Sequence, residues 1–129
     1  MKTVVICGSS RFKSEMRGFG EKLKEYGAVV LEPHLYSPSH TEWENLSQDQ
    51  KKFITLGLTH DHFYKIHISD VVFVYNKEGY VGNSLTLEIG YSVAKGKPIY
   101  ALAEDKELAR NVLFREIISS PEELIKRLE

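Results

Sequence analysis

The chain of 129 residues has little of several features that mark particular classes of protein. Its single cysteine, Cys7, cannot form an internal disulfide, which argues against a disulfide-stabilised secreted domain. A formal net charge of −1 offers no basic surface for nucleic acid or for an anionic membrane. No apolar run is long enough to cross a bilayer. We therefore expect a soluble cytoplasmic protein that binds a small molecule and has no nucleic-acid or membrane partner.

The length suits one compact domain and is too short for two ordinary ones. No internal repeat, low-complexity tract or linker divides the chain. Met1-Lys2-Thr3 leads directly into a β-branched run, whereas a signal peptide would begin with a longer apolar segment. Residues 1–129 are thus predicted to form a single domain.

Short apolar runs alternate with helical patterns along the chain. The runs predict strands at residues 3–7, 28–31, 71–75, 99–102 and 114–118. Helices are predicted over 12–26, from about Gln48 to about His67, from near Ser84, and from Ser120-Pro121, with a short helix or turn at 105–111. Strands separated by helices predict a parallel sheet of about five strands covered on both faces. This is an α/β doubly wound fold of the flavodoxin-like or Rossmann-like kind.

Two segments of the chain allow more than one structural interpretation. Residues 33–45 lack a regular pattern and are expected to form a surface loop or lid, in which Tyr36 and Trp43 either stack on a base or pack the loop down. The second helix carries two neighbouring stripes, one containing Phe53, Leu56, His60, Phe63 and Tyr64, the other Leu58, His62 and Ile66. Gly57 is a candidate bend in that helix.

Ligands of doubly wound folds bind beyond the carboxyl ends of the strands, and two loops at that edge have suitable residues. Gly8-Ser9-Ser10-Arg11 could direct backbone amides, two hydroxyls and a guanidinium at a phosphate, or could be an ordinary turn. The loop from Asn76 to Ser84 contains Gly79, Tyr80 and Gly82, and ends with Asn83 and Ser84 as candidate helix caps. Its alternative is a flexible turn with a good cap.

Glu88 and the segment His60-Asp61-His62 are the remaining candidates. Glu88 lies four residues after Ser84, so the three-residue spacing of a capping box does not explain it. It is either a solvated partner of Ser92 or Lys95 or a functional acid. Adjacent helical positions point in different directions, so we expect no metal site at residues 60–62. His62 is either a satisfied core histidine or a residue of the ligand crevice.

Three segments together resemble the nucleoside 2-deoxyribosyltransferase superfamily. They are Ile6-Cys7-Gly8-Ser9-Ser10-Arg11, the run from Ile66 to Val72, and Glu88-Ile89-Gly90-Tyr91-Ser92 followed by Gly96-Lys97-Pro98. The first segment is most similar to the branch of 2′-deoxynucleoside 5′-monophosphate N-glycosidases, in which this loop helps to bind the 5′-phosphate. The resemblance implies that Glu88 is a nucleophile, whose ionised form the amide-rich helix start would favour.

The resemblance also implies roles for positions that depart from the family pattern. Counting back from Asp70, the family's proton-transfer Asp corresponds to His62, with Asp61 beside it. Gly82 stands where transferases carry another Asp and monophosphate hydrolases a phosphate-binding Ser.

The predicted function is cleavage of the N-glycosidic bond of a (deoxy)nucleoside 5′-monophosphate, without a metal or cofactor. One alternative is 2-deoxyribosyl transfer between bases, and a phosphoribohydrolase of the cytokinin type shares part of the glycine-loop pattern. The other alternative is a non-catalytic nucleotide sensor, favoured by the replaced acids. The resemblance further implies a homodimer or a larger homo-oligomer.

Overall fold

A computed structural model describes residues 1–129 and contains one five-stranded sheet with six helices. The strands are β1 (Thr3–Gly8), β2 (Val29–Leu31), β3 (Val71–Tyr75), β4 (Ile99–Ala101) and β5 (Glu116–Ile117). The helices are α1 (Lys13–Glu25), α2 (His40–Glu44), α3 (Gln48–Ile68), α4 (Asn83–Ala94), α5 (Leu108–Asn111) and α6 (Pro121–Leu128). All strand pairs are parallel, in the order β2-β1-β3-β4-β5. This is the flavodoxin-like order, so the predicted fold is confirmed.

The two central strands bury side chains on both faces, as their uninterrupted apolar sequences predict. Val4 and Ile6 of β1 face α1 and α6, in a core completed by residues such as Phe19 and Leu124. Val5 and Cys7 point to the opposite face, where Ile66 of α3 and Leu85 and Ile89 of α4 cover them. Helices therefore lie on both sides of the sheet.

Local sequence signals explain where several helices begin. Ser47 and Gln50 form a complete capping box at the start of α3, with the Ser47 hydroxyl accepting from the Gln50 amide at 3.0 Å. Ser120 caps α6 and is followed by Pro121 in its first turn. The stretch predicted as a loop or lid contains the short helix α2, capped by Ser39. None of the helices combines the length and the apolar character needed to span a membrane.

The two stripes of α3 have different surroundings. His62 and Ile66 are buried against the sheet, while Phe53, Leu56 and Tyr64 lie exposed, Phe53 to 79%. Helical periodicity finds both stripes, but it cannot tell which one packs when both are apolar. The exposed stripe is consequently an apolar surface of this chain.

Gly57 lies inside α3, which continues through it, and a Cβ there would meet no atom within 4 Å. We predict that Gly57→Ala raises the free energy of unfolding by about 0.5–1 kcal/mol, because alanine loses less backbone entropy in a helix. Gly79→Ala should have the opposite sign. Gly79 has φ +76°, and a Cβ there would lie 3.0 Å from the Glu104 carbonyl oxygen. Urea denaturation of both variants measures the two changes in the free energy of unfolding. Changes of the same sign would contradict this assignment.

Candidate active site

A cavity of about 370 Å³ opens beyond the carboxyl ends of β1 and β3. These are the strands between which the chain order of the sheet reverses, where ligands bind in doubly wound folds. The volume lies within the range of small-molecule sites, roughly 300–1,000 Å³. The wall is formed by the loops after β1, β2 and β3, by the middle of α3 and by the first turns of α4; its residues are Gly8, Ser9, Ser10, Pro33, His34, Leu35, Tyr36, Leu58, Thr59, His62, Phe63, Tyr80, Gly82, Asn83, Ser84, Leu85, Leu87 and Glu88.

Glu88 is the one acidic residue in the cavity wall. Its side chain is 13% exposed, and Oε2 is buried without a hydrogen-bond partner. The Ser92 hydroxyl, a predicted partner, donates to the Glu88 backbone carbonyl and leaves the carboxyl free. The interpretation of Glu88 as a solvated surface acid is therefore wrong, and its carboxyl is available to a ligand.

His62 lies between Glu88 and Cys7 at the back of the cavity. Its Nε2 is 3.6 Å from Oε1 of Glu88 and 3.1 Å from Sγ of Cys7. Its Nδ1 is buried and has no partner, so this is not a fully satisfied core histidine. The sulfur–nitrogen contact fixes one edge of the imidazole ring.

Burial shifts all three groups toward their uncharged forms. Desolvation raises the pKa of Glu88 from 4.5 to about 8 and lowers the pKa of His62 from 6.5 to about 4. Desolvation, with a smaller contribution from Glu88, raises the pKa of the Cys7 thiol well above its ordinary value. Desolvation therefore outweighs the helix dipole at this position in the second turn of α4, contrary to the expectation that the helix start keeps Glu88 ionised.

The N-terminus of α4 faces the cavity without a side-chain cap. The N-cap residue is Gly82, which has no side chain to accept a hydrogen bond. The backbone amides of the first turn therefore remain free. The predicted capping by Asn83 or Ser84 does not occur, because both residues lie inside the helix. Free amides at a helix start suit an anionic group.

The loop after β1 follows Gly8, which packs closely against Met16 and Tyr75. A Cβ on Gly8 would lie 2.6 Å from the Met16 sulfur and 3.2 Å from the Tyr75 carbonyl oxygen, so glycine is needed there. The Ser9 hydroxyl accepts from the Arg11 amide at 3.1 Å and stabilises the turn. The Arg11 guanidinium stacks 3.7 Å above the Tyr80 ring and does not line the cavity.

Three other candidate residues also lie outside the cavity wall. Asp61 is exposed and forms a 2.8 Å salt bridge with Lys65. Asn76 is fully buried, and its amide group donates to the Ala103 carbonyl and accepts from the Ala103 amide. These two hydrogen bonds tie the end of β3 to the end of β4. Gly79 has a left-handed conformation close to the backbone of Glu104.

Sequence reasoning did not anticipate Cys7 or most of the β2 loop as parts of this site. The alternation of β1 places Cys7 on the face that α3 and α4 cover, one residue before Gly8, and that signal was readable in the sequence. Of the two lid aromatics, Tyr36 lines the cavity, and its ring centre lies 6.3 Å from that of Trp43.

No protein-family model matches this chain, and no curated protein matches it in sequence. Two solved structures share its fold over almost the full length of both chains. A conserved protein from Enterococcus faecalis V583 has a TM-score of 0.56 at 14% identity, covering 99% of this chain and 98% of that one. The CMP N-glycosidase BcmB from Clostridium botulinum has a TM-score of 0.51 at 18% identity, covering 98% of each chain. At these identities the similarity establishes the fold.

The shifted pKa values predict a specific dependence of stability on pH. Glu88 binds its proton more tightly when folded, so its stabilising contribution is complete below pH 4.5 and is lost as pH rises to about 8. The His62 contribution is complete above pH 6.5 and is lost as pH falls to about 4. Between pH 6.5 and 8, therefore, Glu88 alone should lower the free energy of unfolding, by at most about 1.4 kcal/mol per pH unit.

Urea denaturation of Glu88→Gln in the presence of a metal chelator tests this dependence. The variant should lack the decrease between pH 6.5 and 8 that the wild type shows. Glu104→Gln, which removes an exposed carboxylate, should keep it. Equal slopes in wild type and Glu88→Gln would contradict a raised Glu88 pKa.

Proposed function

We propose that this protein cleaves the N-glycosidic bond of a (deoxy)nucleoside 5′-monophosphate, with Glu88 as the nucleophile. The observation that carries the proposal is the Glu88 carboxyl: it is the sole acid in the cavity wall, and one of its oxygens is buried and unpaired. A carboxylate in that position can stabilise an oxocarbenium-like transition state and capture the sugar at C1′.

The reaction divides into two displacement steps. The Glu88 carboxylate attacks C1′, the C1′–N bond breaks, and the base leaves with the bonding electrons and takes up a proton. A glycosyl ester on Glu88 results. Water then attacks C1′, which releases the sugar phosphate and restores the carboxylate. The net reaction consumes one water molecule and releases the free base.

His62 is the candidate for the proton transfers, since Asp61 is held by Lys65 outside the cavity wall. Its Nε2 lies 3.6 Å from Oε1 of Glu88, a distance that a small rotation shortens to a hydrogen bond. The pKa values of about 8 for Glu88 and about 4 for His62 favour the proton on Glu88. Positive charge developing at C1′ reverses this preference, because it stabilises the carboxylate at close range.

The phosphate would bind between the first turn of α4 and the loop after β1. The uncapped amides after Gly82 and the hydroxyls of Ser9, Ser10 and Ser84 border this part of the cavity. Glu88 lies five residues after Asn83, roughly 7.5 Å along the helix axis. A single pentose can bridge that separation. Arg11 could add its charge after leaving the Tyr80 ring.

Two further observations support the same chemistry. The motifs of the sequence resemble those of 2′-deoxynucleoside 5′-monophosphate N-glycosidases, and the fold is shared with a CMP N-glycosidase over nearly the whole chain. The motif resemblance includes Glu88, whereas the shared fold supports only the general class of reaction.

The decisive measurement is release of free base, followed by chromatography, from a panel of ribo- and deoxyribonucleosides and their 5′-monophosphates. We predict that monophosphates are preferred, and that Glu88→Gln lowers turnover by several orders of magnitude because the amide cannot attack C1′. Glu104→Gln should match the wild type. A 2′-fluoro substrate analogue, which slows hydrolysis of the ester, should leave its sugar phosphate on the peptide containing Glu88.

Each other outcome has a definite meaning. Base release that survives Glu88→Gln would remove Glu88 from the nucleophile role. Faster turnover on adding a second free base would favour 2-deoxyribosyl transfer. Nucleotide binding with no base release would favour the sensor.

We also propose that the chain forms a homodimer or larger homo-oligomer, and the exposed stripe on α3 supports this. Phe53, Leu56 and Tyr64 form an apolar surface that a second copy could cover. Leu56→Glu should lower the molecular mass measured by light scattering, because it places a charge in that surface. Thr55→Glu, exposed on another face of α3, is the matched control. A wild-type monomer at micromolar concentration would refute the proposal.

A further inference from the structure

Three side chains with different metal-binding atoms meet at the back of the cavity. The Cys7 sulfur, the His62 imidazole nitrogen and a Glu88 carboxyl oxygen all lie within 4.8 Å of one another. In a tetrahedral zinc site with bonds of about 2.0–2.3 Å, neighbouring ligand atoms are about 3.3–3.8 Å apart. The separations of 3.1 Å for sulfur to nitrogen and 3.6 Å for nitrogen to oxygen are close to those values, whereas the sulfur and the carboxyl oxygen lie within 4.8 Å, so the Glu88 side chain would rotate toward Cys7 to complete a tetrahedral set.

We propose that Cys7, His62 and Glu88 bind a divalent metal ion that accepts sulfur, nitrogen and oxygen ligands, with Zn²⁺ as the ion of best fit. Thiolate and imidazole ligands favour zinc over the oxygen-preferring ions Mg²⁺ and Ca²⁺. The ion would leave its fourth position toward the cavity, which His62 and Glu88 line. Three protein ligands with one open position are typical of accessible zinc sites.

Charge balance favours this ion in a buried position. A Cys7 thiolate and a Glu88 carboxylate carry two negative charges, His62 binds as neutral imidazole, and the divalent ion makes the cluster neutral. A neutral cluster avoids the large desolvation cost of an isolated buried charge. The ion would also provide a partner for the carboxyl of Glu88, one of whose oxygens is otherwise unpaired.

The surroundings of His62 limit how tightly the ion should bind. Metal-bound histidines ordinarily donate their second N–H to a carboxylate or carbonyl, and the Nδ1 of His62 has no such partner. We therefore expect micromolar affinity, weaker than that of structural zinc sites. Such an ion would be exchangeable and removable by a chelator.

Occupancy by metal would compete with the reaction proposed above, and this part of the inference rests on that proposed function. A Glu88 oxygen bound to the ion is not free to attack C1′. Zinc should then inhibit base release reversibly, with activity restored by a chelator. Metal binding itself is measurable without any substrate, so its failure and a failure of the proposed function are distinguishable.

Titration of the metal-free protein with Co²⁺ tests the site directly. Cys7 is the only cysteine, so a thiolate-to-cobalt charge-transfer band in the near ultraviolet can arise only from it. We expect that band at one ion per chain, together with the visible absorption of tetrahedral Co²⁺, and displacement of both by Zn²⁺. Absence of the charge-transfer band, or binding only at exposed histidines without it, would overturn the proposal.

Matched variants separate the site from general metal binding. Cys7→Ser should abolish the charge-transfer band. Glu88→Gln should weaken Zn²⁺ binding by at least the roughly 10–100-fold loss typical of outer-shell partners. His60→Gln, on the exposed face of α3, should bind like the wild type. If circular dichroism shows that Cys7→Ser is unfolded, the Co²⁺ spectrum of the wild type and the Zn²⁺ affinity of Glu88→Gln test the site instead. Unchanged Zn²⁺ affinity in Glu88→Gln would refute the three-ligand site.

Discussion

The two central strands bury side chains on both faces, and this constraint determines where polar chemistry can occur in the molecule. Helices must cover both faces of β1 and β3, so the backbone becomes irregular only where these strands end. The loops after them meet beside the start of α4, where free amides, hydroxyls and one acid surround the cavity. Cys7 is the last buried position of β1 before that edge, which explains how a core residue comes to contact the site.

Desolvation determines which protonation states the titratable groups of the site favour. Burial raises the pKa of the Glu88 carboxyl, which lies 3.6 Å from the His62 imidazole, to about 8 and so favours its uncharged form at neutral pH. The free energy stored in this shift is on the order of a few kcal/mol, enough to make the ionised form depend on what occupies the cavity. The sugar carbon of the proposed substrate and the proposed metal ion both supply positive charge, and either would ionise Glu88. The same burial therefore makes the group selective for cationic partners.

Much of the fold could be predicted because its signals are local. Ser47-Gln50 and Ser120-Pro121 specify helix starts through nearby hydrogen bonds, and the β-branched runs of β1 and β3 have no competing interpretation. For Glu88 the spacing excluded a capping box but left a solvated acid and a functional acid open, and the family resemblance alone favoured the functional acid. What could not be predicted depends on distant contacts. The burial that raises the Glu88 pKa and the pairing of Asn76 with Ala103 both need the tertiary structure.

Positions 8 and 82 show how differently two glycines of one site are constrained. At position 8 the Met16 sulfur and the Tyr75 carbonyl leave no space for a larger residue, whereas a Cβ at position 82 would meet nothing closer than the Tyr80 hydroxyl at 3.5 Å. Backbone φ at Gly82 is −90°, which any residue can adopt. The fold thus tolerates side chains at a position that lines the cavity. A single replacement at position 82 can therefore change the lining of the cavity at little risk to folding.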